Sequence, residues 1–181
     1  MAKEIDKKTQ FKNKKTVYKN DWSSVIKTSL VRNGEEKEIY TTDFGRRAAV
    51  ILLEEGSILL VKQYRMLIND LSWEIPGGRA ENSETFEQAA FRECEEETGY
   101  SCNSLLPLVK FEPGLETLSN STKIFVCQDF KKSRNLDSSE IIESSWFSIE
   151  KVRKFLLEGY FLDSLTIIGL QSLLLNQHNG E

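Results

Sequence analysis

Histidine is almost missing from this chain. Among 181 residues there is one, His178, close to the C-terminal end, where chains commonly fray. Ser-His-Asp catalysis, Cys-His catalysis and histidine-rich metal sites therefore have almost nothing to work with. Cysteine is scarce too: Cys94, Cys102 and Cys127 are odd in number and form no CxxC pair. That excludes a disulfide scaffold and suits a reducing, cytoplasmic setting. No long apolar run exists. The longest, Ala48 to Leu53, falls far short of the ~20 residues of a membrane span, so no membrane association is expected. The N-terminus is rich in lysine but no apolar segment follows it, so no secretory signal is expected. Lys plus Arg number 24 against 28 Asp plus Glu, a net charge of −4. A balance that near zero excludes a general nucleic-acid binder. The polar chemistry must come from carboxylates, arginines, lysines and the backbone.

What the chain does have is a hydrophobic content of 39%, enough for a sizeable core in one domain with an arm. Seven lysines fall within residues 1–20, which reads as a basic, solvated and flexible arm. Residues 21–46 carry alternating strand signals. Trp22 to Arg32 and Glu38 to Thr42 flank the turn Arg32-Asn33-Gly34-Glu35, so a hairpin is expected. Residues 47–181 read as the main domain. Ala48 to Leu53 and Ser57 to Arg65 are buried strands, Pro76-Gly77-Gly78 breaks regular structure, and about Ser83 to Thr98 is helical, with Asn82 or Ser83 as N-cap and Gly99 closing it. Strands follow over Leu105 to Phe111, Thr122 to Phe130 and around Trp146-Phe147. A polar loop spans residues 131–139. Ser148 and Asp163 cap two final helices. Strands, helix, strands, helices is an α+β order: a sheet covered by helices.

The helix at Glu84–Thr98 is the informative element. At about 100° per residue, with Phe86 at zero, the apolar stripe runs through Ala89, Ala90 and Cys94. Glu93 falls at about 340° and Glu97 at about 20°, inside that stripe; Glu96 lies at about 280°, at its edge, and Glu95, at about 180°, points to solvent. Like charges at i, i+4 cost about 0.2–0.5 kcal/mol. Acids near a helix C-terminus oppose its dipole by about 0.3–1 kcal/mol, and burial adds a desolvation cost. A charge run alone reads as a solvated face stabilised by Arg92; the inward phase instead points to a hard divalent cation, Mg²⁺ or Mn²⁺, which removes all three penalties.

The spacing carries a resemblance. Gly78, five residues, Glu84, seven residues, Arg92-Glu93-Cys94, one residue, Glu96-Glu97, one residue, Gly99-Tyr100 resembles the complete Nudix box, with every fixed position filled. The resemblance implies a Nudix α/β/α sandwich with a mixed sheet, plus a small N-terminal β-hairpin region, and a divalent-metal-dependent hydrolase that splits a diphosphate linked to another moiety. It makes Glu93, Glu96, Glu97 and the carbonyl of Gly77 the metal site. Arg92 would orient the glutamates, and Glu84 would brace the loop.

Further stretches, Gln63-Tyr64-Arg65, Trp73 to Gly78, Glu112-Pro113-Gly114, Ser139 to Phe147 and Glu158-Gly159 with Asp163 to Thr166, are similar to the ADP-ribose and nucleotide-sugar pyrophosphatases. This similarity implies Glu140 as catalytic base, Arg65 on the diphosphate, and Trp22 and Tyr40 stacking on the adenine across a homodimer. The expected substrate is ADP-ribose or a related nucleotide sugar. GDP-mannose or another such sugar, and a non-catalytic nucleotide-binding regulator, are the alternatives. Two departures concern substrate rather than class: Pro113 lies closer to the box than in typical ADP-ribose enzymes, and Gly77 replaces their usual alanine.

Overall fold

Ala48 to Leu53 alternates between two hydrophobic cores in the computed structural model, which describes residues 9–133 and 140–177. The elements, in chain order, are β1 (Gln10–Lys19), β2 (Ser24–Arg32), β3 (Glu35–Asp43), β4 (Arg47–Glu54), β5 (Ser57–Arg65), β6 (Asp70–Glu74), β7 (Gly77–Arg79), α1 (Phe86–Thr98), β8 (Tyr100–Cys102), β9 (Leu106–Phe111), β10 (Leu118–Ser119), β11 (Thr122–Cys127), β12 (Phe130–Lys132), β13 (Ile141–Ser148), α2 (Ile149–Leu157) and α3 (Ser164–Gln177). They fall into two compact units: residues 9–45 with Glu112–Ser121, and Arg46–Phe111 with residues 122–133 and 140–177.

The first unit is a four-stranded sheet in the order β1-β2-β3-β10. Asn33 (φ 55°) and Gly34 (φ 85°) both take positive φ, the requirement of the two-residue hairpin turn that pairs Arg32 with Glu35. The solvated arm inferred from lysine content is corrected over residues 10–19: they form β1, antiparallel to β2 and exposed along its whole length. Its lysines sit on an edge strand, where charge discourages further pairing. Residues 1–8 of that arm lie outside the described residues, as do 134–139 of the polar loop and His178.

The second unit is built on a seven-stranded sheet, β13-β5-β4-β11-β9, with β6 added to β5 and β7 to β4. Only the β4–β11 pairing in it is parallel. On β4, Ala48, Val50 and Leu52 join the core that holds Ala89, Ala90 and Cys94 of α1. Ala49 and Ile51 join the opposite core, with Val152 of α2 and Leu165, Leu170 and Leu173 of α3. A strand covered on both faces is apolar at consecutive positions, which explains the unbroken run. The result is the expected sandwich of helix, sheet and helices.

Two local expectations are corrected. The N-cap of α1 is Thr85, not Asn82 or Ser83: its hydroxyl accepts from the Gln88 N–H, and its own N–H donates to the Gln88 side chain at 2.8 Å, a capping box. The Gly77-Gly78 pair does not break structure but forms β7, with Gly77 opposite Ala49 and Gly78 opposite Ala48. Gly99 closes α1 in the left-handed region, at φ 72°, and Ser148 and Asp163 accept backbone N–H groups at the starts of α2 and α3.

A Cβ on Gly77 would lie 2.5 Å from Ala49 Cβ and 2.6 Å from the Ala48 carbonyl oxygen. Backbone cannot yield as a flexible side chain does, so Gly77→Ala is expected to destabilise the fold by about 1–3 kcal/mol. Thermal unfolding of the purified variant checks this; an unchanged midpoint contradicts the fit.

Candidate active site

Arg92 gathers acidic residues from the loop before α1 and from the second half of the helix. Its Nε donates to Glu84 Oε1 at 2.8 Å and its Nη2 to Glu84 Oε2 at 3.0 Å. Nη1 donates to Glu93 at 2.8 Å and to Glu96 at 2.9 Å, and Nη2 also reaches the Arg79 carbonyl at 3.0 Å. One planar fork thus serves three carboxylates and a backbone oxygen. Glu84 is fixed further, since it accepts the Glu81 N–H at 2.8 Å and its carbonyl accepts from Arg46 at 2.6 Å. The Arg92 guanidinium holds the Glu84 carboxyl below the ordinary range.

Glu93 and Glu97 lie where the helical phase placed them. The Glu93 carboxylate packs on Gly78 so closely that a Cβ there would sit 2.5 Å from Oε1. Burial pushes its pKa up, against the pull of Arg92. Glu97 is buried. Its Oε2 accepts the Gly77 N–H at 2.8 Å and its Oε1 accepts from Gln63 Nε2 at 2.9 Å. Both donors are neutral. Burial, with the Glu93 charge adding to it, raises its pKa to about 8 despite those bonds and Arg65. The other two positions are corrected: Glu96 is the exposed one, while Glu95 is half-buried and accepts from Ser133 Oγ at 2.8 Å.

The donors are all oxygen and rich in negative charge, which fits a hard divalent cation. Glu97 is the strongest sign of that fit, a buried carboxylate whose two oxygens accept from neutral donors, the Gln63 amide and the Gly77 N–H. Among the described residues, no three histidine, cysteine or acidic side chains converge as a finished cage; Arg92 draws Glu93 and Glu96, and Gly77 and Gln63 draw Glu97.

Further candidate residues gather at the end of β5. A cavity of about 480 Å³ is lined by Gln63, Tyr64, Arg65, Met66, Glu140 and Ile142. The β5–β13 ladder pairs Ile141 with Gln63, which brings Glu140 to the same cavity as Arg65. Arg65 is held by the buried Glu74 through a paired contact, with Nε to Oε1 at 2.8 Å and Nη2 to Oε2. Trp22 and Tyr40 belong to the first unit, where Trp22 is 75% and Tyr40 53% exposed.

Three residues escaped the residue-by-residue reading. Gln63 and Glu74 are buried polar groups on β5 and β6, and composition, helical phase and spacing assign neither a role. Thr166 is completely buried; its hydroxyl donates to Asp163 at 2.7 Å and accepts the Ile75 N–H at 3.1 Å, anchoring the chain just before Pro76-Gly77-Gly78.

The Nudix domain family model matches residues 43–164, and the chain belongs to the Nudix family. It is 29% identical over 136 residues to an ADP-ribose pyrophosphatase of Bacillus subtilis, covering 74% of each chain. It is also 29% identical to a methanol dehydrogenase activator of Bacillus methanolicus, again over 74% of each. An ADP-ribose pyrophosphatase of Saccharomyces cerevisiae is 30% identical over 173 residues, 83% of this chain and 71% of that one. A crystal structure of an ADP compounds hydrolase shares the fold, with a TM-score of 0.82 over 98% of both chains at 18% identity. No helix among the described residues is long and apolar enough to cross a membrane.

The raised pKa of Glu97 has a signed consequence. Folded, the group keeps its proton up to about pH 8; unfolded, it loses it near the ordinary value of about 4.3. Between those limits the folded state binds the extra proton, so stability falls as pH rises and levels off above about 8. Glu93, Arg65, Gln63 and the Gly77 N–H surround it. The metal-free protein is expected to lose melting temperature from pH 5 to 8, and Glu97→Gln to flatten that slope. An equal slope in both proteins, by scanning calorimetry, contradicts the assignment.

Proposed function

We propose that this Nudix chain is a Mg²⁺-dependent pyrophosphatase that hydrolyses the diphosphate bond of ADP-ribose or a related nucleoside diphosphate sugar. The products are a nucleoside monophosphate and a sugar phosphate. The observation that carries this reading is Glu97, buried a turn from Glu93 and bonded to neutral donors next to a cavity that Arg65 and Glu140 line. The names of the Bacillus subtilis and yeast relatives support the substrate class.

In this reading Glu93, Glu96, Glu97 and the Gly77 carbonyl hold the cation, Mg²⁺ or Mn²⁺. When bound, it neutralises the diphosphate and acidifies water. Arg92 keeps the carboxylates of Glu93 and Glu96 gathered while Glu84 anchors Arg92 to the loop. Arg65, oriented by Glu74, presents its remaining edge to the diphosphate. Glu140 takes the proton of the attacking water as general base. Trp22 and Tyr40 stack on the adenine, in a homodimer whose N-terminal sheets exchange between subunits.

The test is release of AMP from ADP-ribose with Mg²⁺, run beside ADP-glucose, GDP-mannose, NADH and 8-oxo-dGTP. Turnover of a nucleotide sugar, lost in Glu97→Gln and lowered by about 10²–10⁴ in Glu140→Gln, is expected. Binding of ADP-ribose without turnover of any panel member overturns the reading in favour of a nucleotide-binding regulator. Stacking on a base is worth about 1–3 kcal/mol, so Trp22→Ala is expected to raise the KM for ADP-ribose by about 5- to 150-fold at similar kcat. An unaltered KM removes Trp22 from the base site.

A further inference from the structure

Gln63 is 3% exposed, yet nothing in the proposed reaction uses it. It lies on β5 two residues before Arg65, so both side chains leave the same face of the strand. Arg65 turns to Glu74 and Gln63 turns to Glu97. The Glu97 carboxylate is therefore gripped at both ends, Oε1 by the Gln63 amide at 2.9 Å and Oε2 by the Gly77 N–H at 2.8 Å. Two donors on two oxygens fix the plane of a carboxylate as well as its position. The lone pairs that remain must point along the directions left over.

We propose that Gln63 is a positioning residue: its amide sets the orientation of Glu97, so that this carboxylate is aimed for cation binding before the cation arrives. The proposal rests on the reading of Glu97 as a ligand. The residue type fits the task. A lysine or arginine at 63 would grip Glu97 equally well but cancel the charge that attracts a cation. An apolar side chain would leave Oε1 buried and unpaired, at a cost. An amide supplies a donor and adds no positive charge that would compete with a cation. Partners that orient ligands commonly change metal affinity by about 10–100-fold when removed. The same side chain lines the cavity shared with Glu140, so the strand that carries Arg65 also sets Glu97, and the two parts of the site keep one register.

The experiment is a Mn²⁺ titration without nucleotide, read from the electron paramagnetic resonance signal of the free ion. Wild type, Gln63→Met, Gln63→Asn and Glu97→Gln are compared. Methionine keeps the volume and removes the donor; asparagine keeps the amide but is one methylene too short. Both are expected to raise the Kd for Mn²⁺ by about tenfold or more, and their loss of turnover is expected to shrink as metal is raised. A Kd within twofold of wild type in a folded variant overturns the proposal, as does a loss of turnover that no metal concentration relieves. If Glu97→Gln itself binds Mn²⁺ as tightly as wild type, the ligand reading fails and the proposal falls with it. If Glu97→Gln loses the ion while both Gln63 variants keep it, the positioning role alone is wrong. Asparagine covers the case in which the methionine variant does not fold.

Discussion

The Arg92 guanidinium is the contact on which the arrangement of this site depends. Three carboxylates from the loop and helix, Glu84, Glu93 and Glu96, converge on one cation. Without it, three like charges would face one another across a partly buried space, and both the loop and the second half of α1 would bear their desolvation cost. With it, the cluster still carries more negative charge than positive, before Glu97 is counted. The imbalance matters more than the pairing: a neutral cluster would be only a structural ion-pair network, whereas this one keeps an excess of negative charge. Burial pushes the Glu93 and Glu97 pKa values upward, with the neighbouring carboxylates adding a smaller push in the same direction.

Backbone does as much as side chains to place it. Gly77 offers an N–H to Glu97, and Gly78 offers Glu93 a surface without a Cβ. Those peptides are held by β7 pairing with β4 on one side and by the Asp163–Thr166–Ile75 chain of hydrogen bonds on the other. The start of α3 thus braces the loop ahead of α1, although the two helices cover opposite faces of the sheet. Stretches far apart in sequence, around residues 75 and 166, are one structural device.

Much of this was legible in advance, and the failures have physical causes. The helical phase put Glu93 and Glu97 on the apolar stripe, and they are there, because α1 is regular and its stripe is set by Ala89, Ala90 and Cys94. The same wheel exchanged Glu95 and Glu96. A projection knows nothing of what packs alongside a helix, and the Ser133 segment covers Glu95 while Arg92 pulls Glu96 toward its own exposed side. The N-cap was misplaced by two residues, since Asn82, Ser83 and Thr85 are all competent caps and only the reciprocal bond with Gln88 distinguishes Thr85. Lysine content hid β1, because an edge strand exposed along its length needs no alternation. Gln63, Glu74 and Thr166 fall inside stretches that carry the resemblance, but none received a role, since a buried polar residue is defined by a partner distant in the chain.

The two cores of the second unit differ in a way that bears on the site. The one under α2 and α3 is filled by isoleucine, leucine, valine and phenylalanine. The one under α1 is lined largely by small side chains: Ala48, Ala80, Ala89, Ala90, Cys94, Cys102 and Cys127. Small residues let a helix approach a sheet closely. A Glu side chain on α1 can touch the peptides of β7 only if the helix axis is close to the strands, and the contacts of Glu93 with Gly78 and of Glu97 with Gly77 require that approach. The three buried cysteines then need no redox role. Cys94 is a small apolar filler that packs with Ala48, Ala80, Ala89 and Ala90 between α1 and the sheet. Packing on the hidden side of the helix therefore sets the reach of the carboxylates on the functional side.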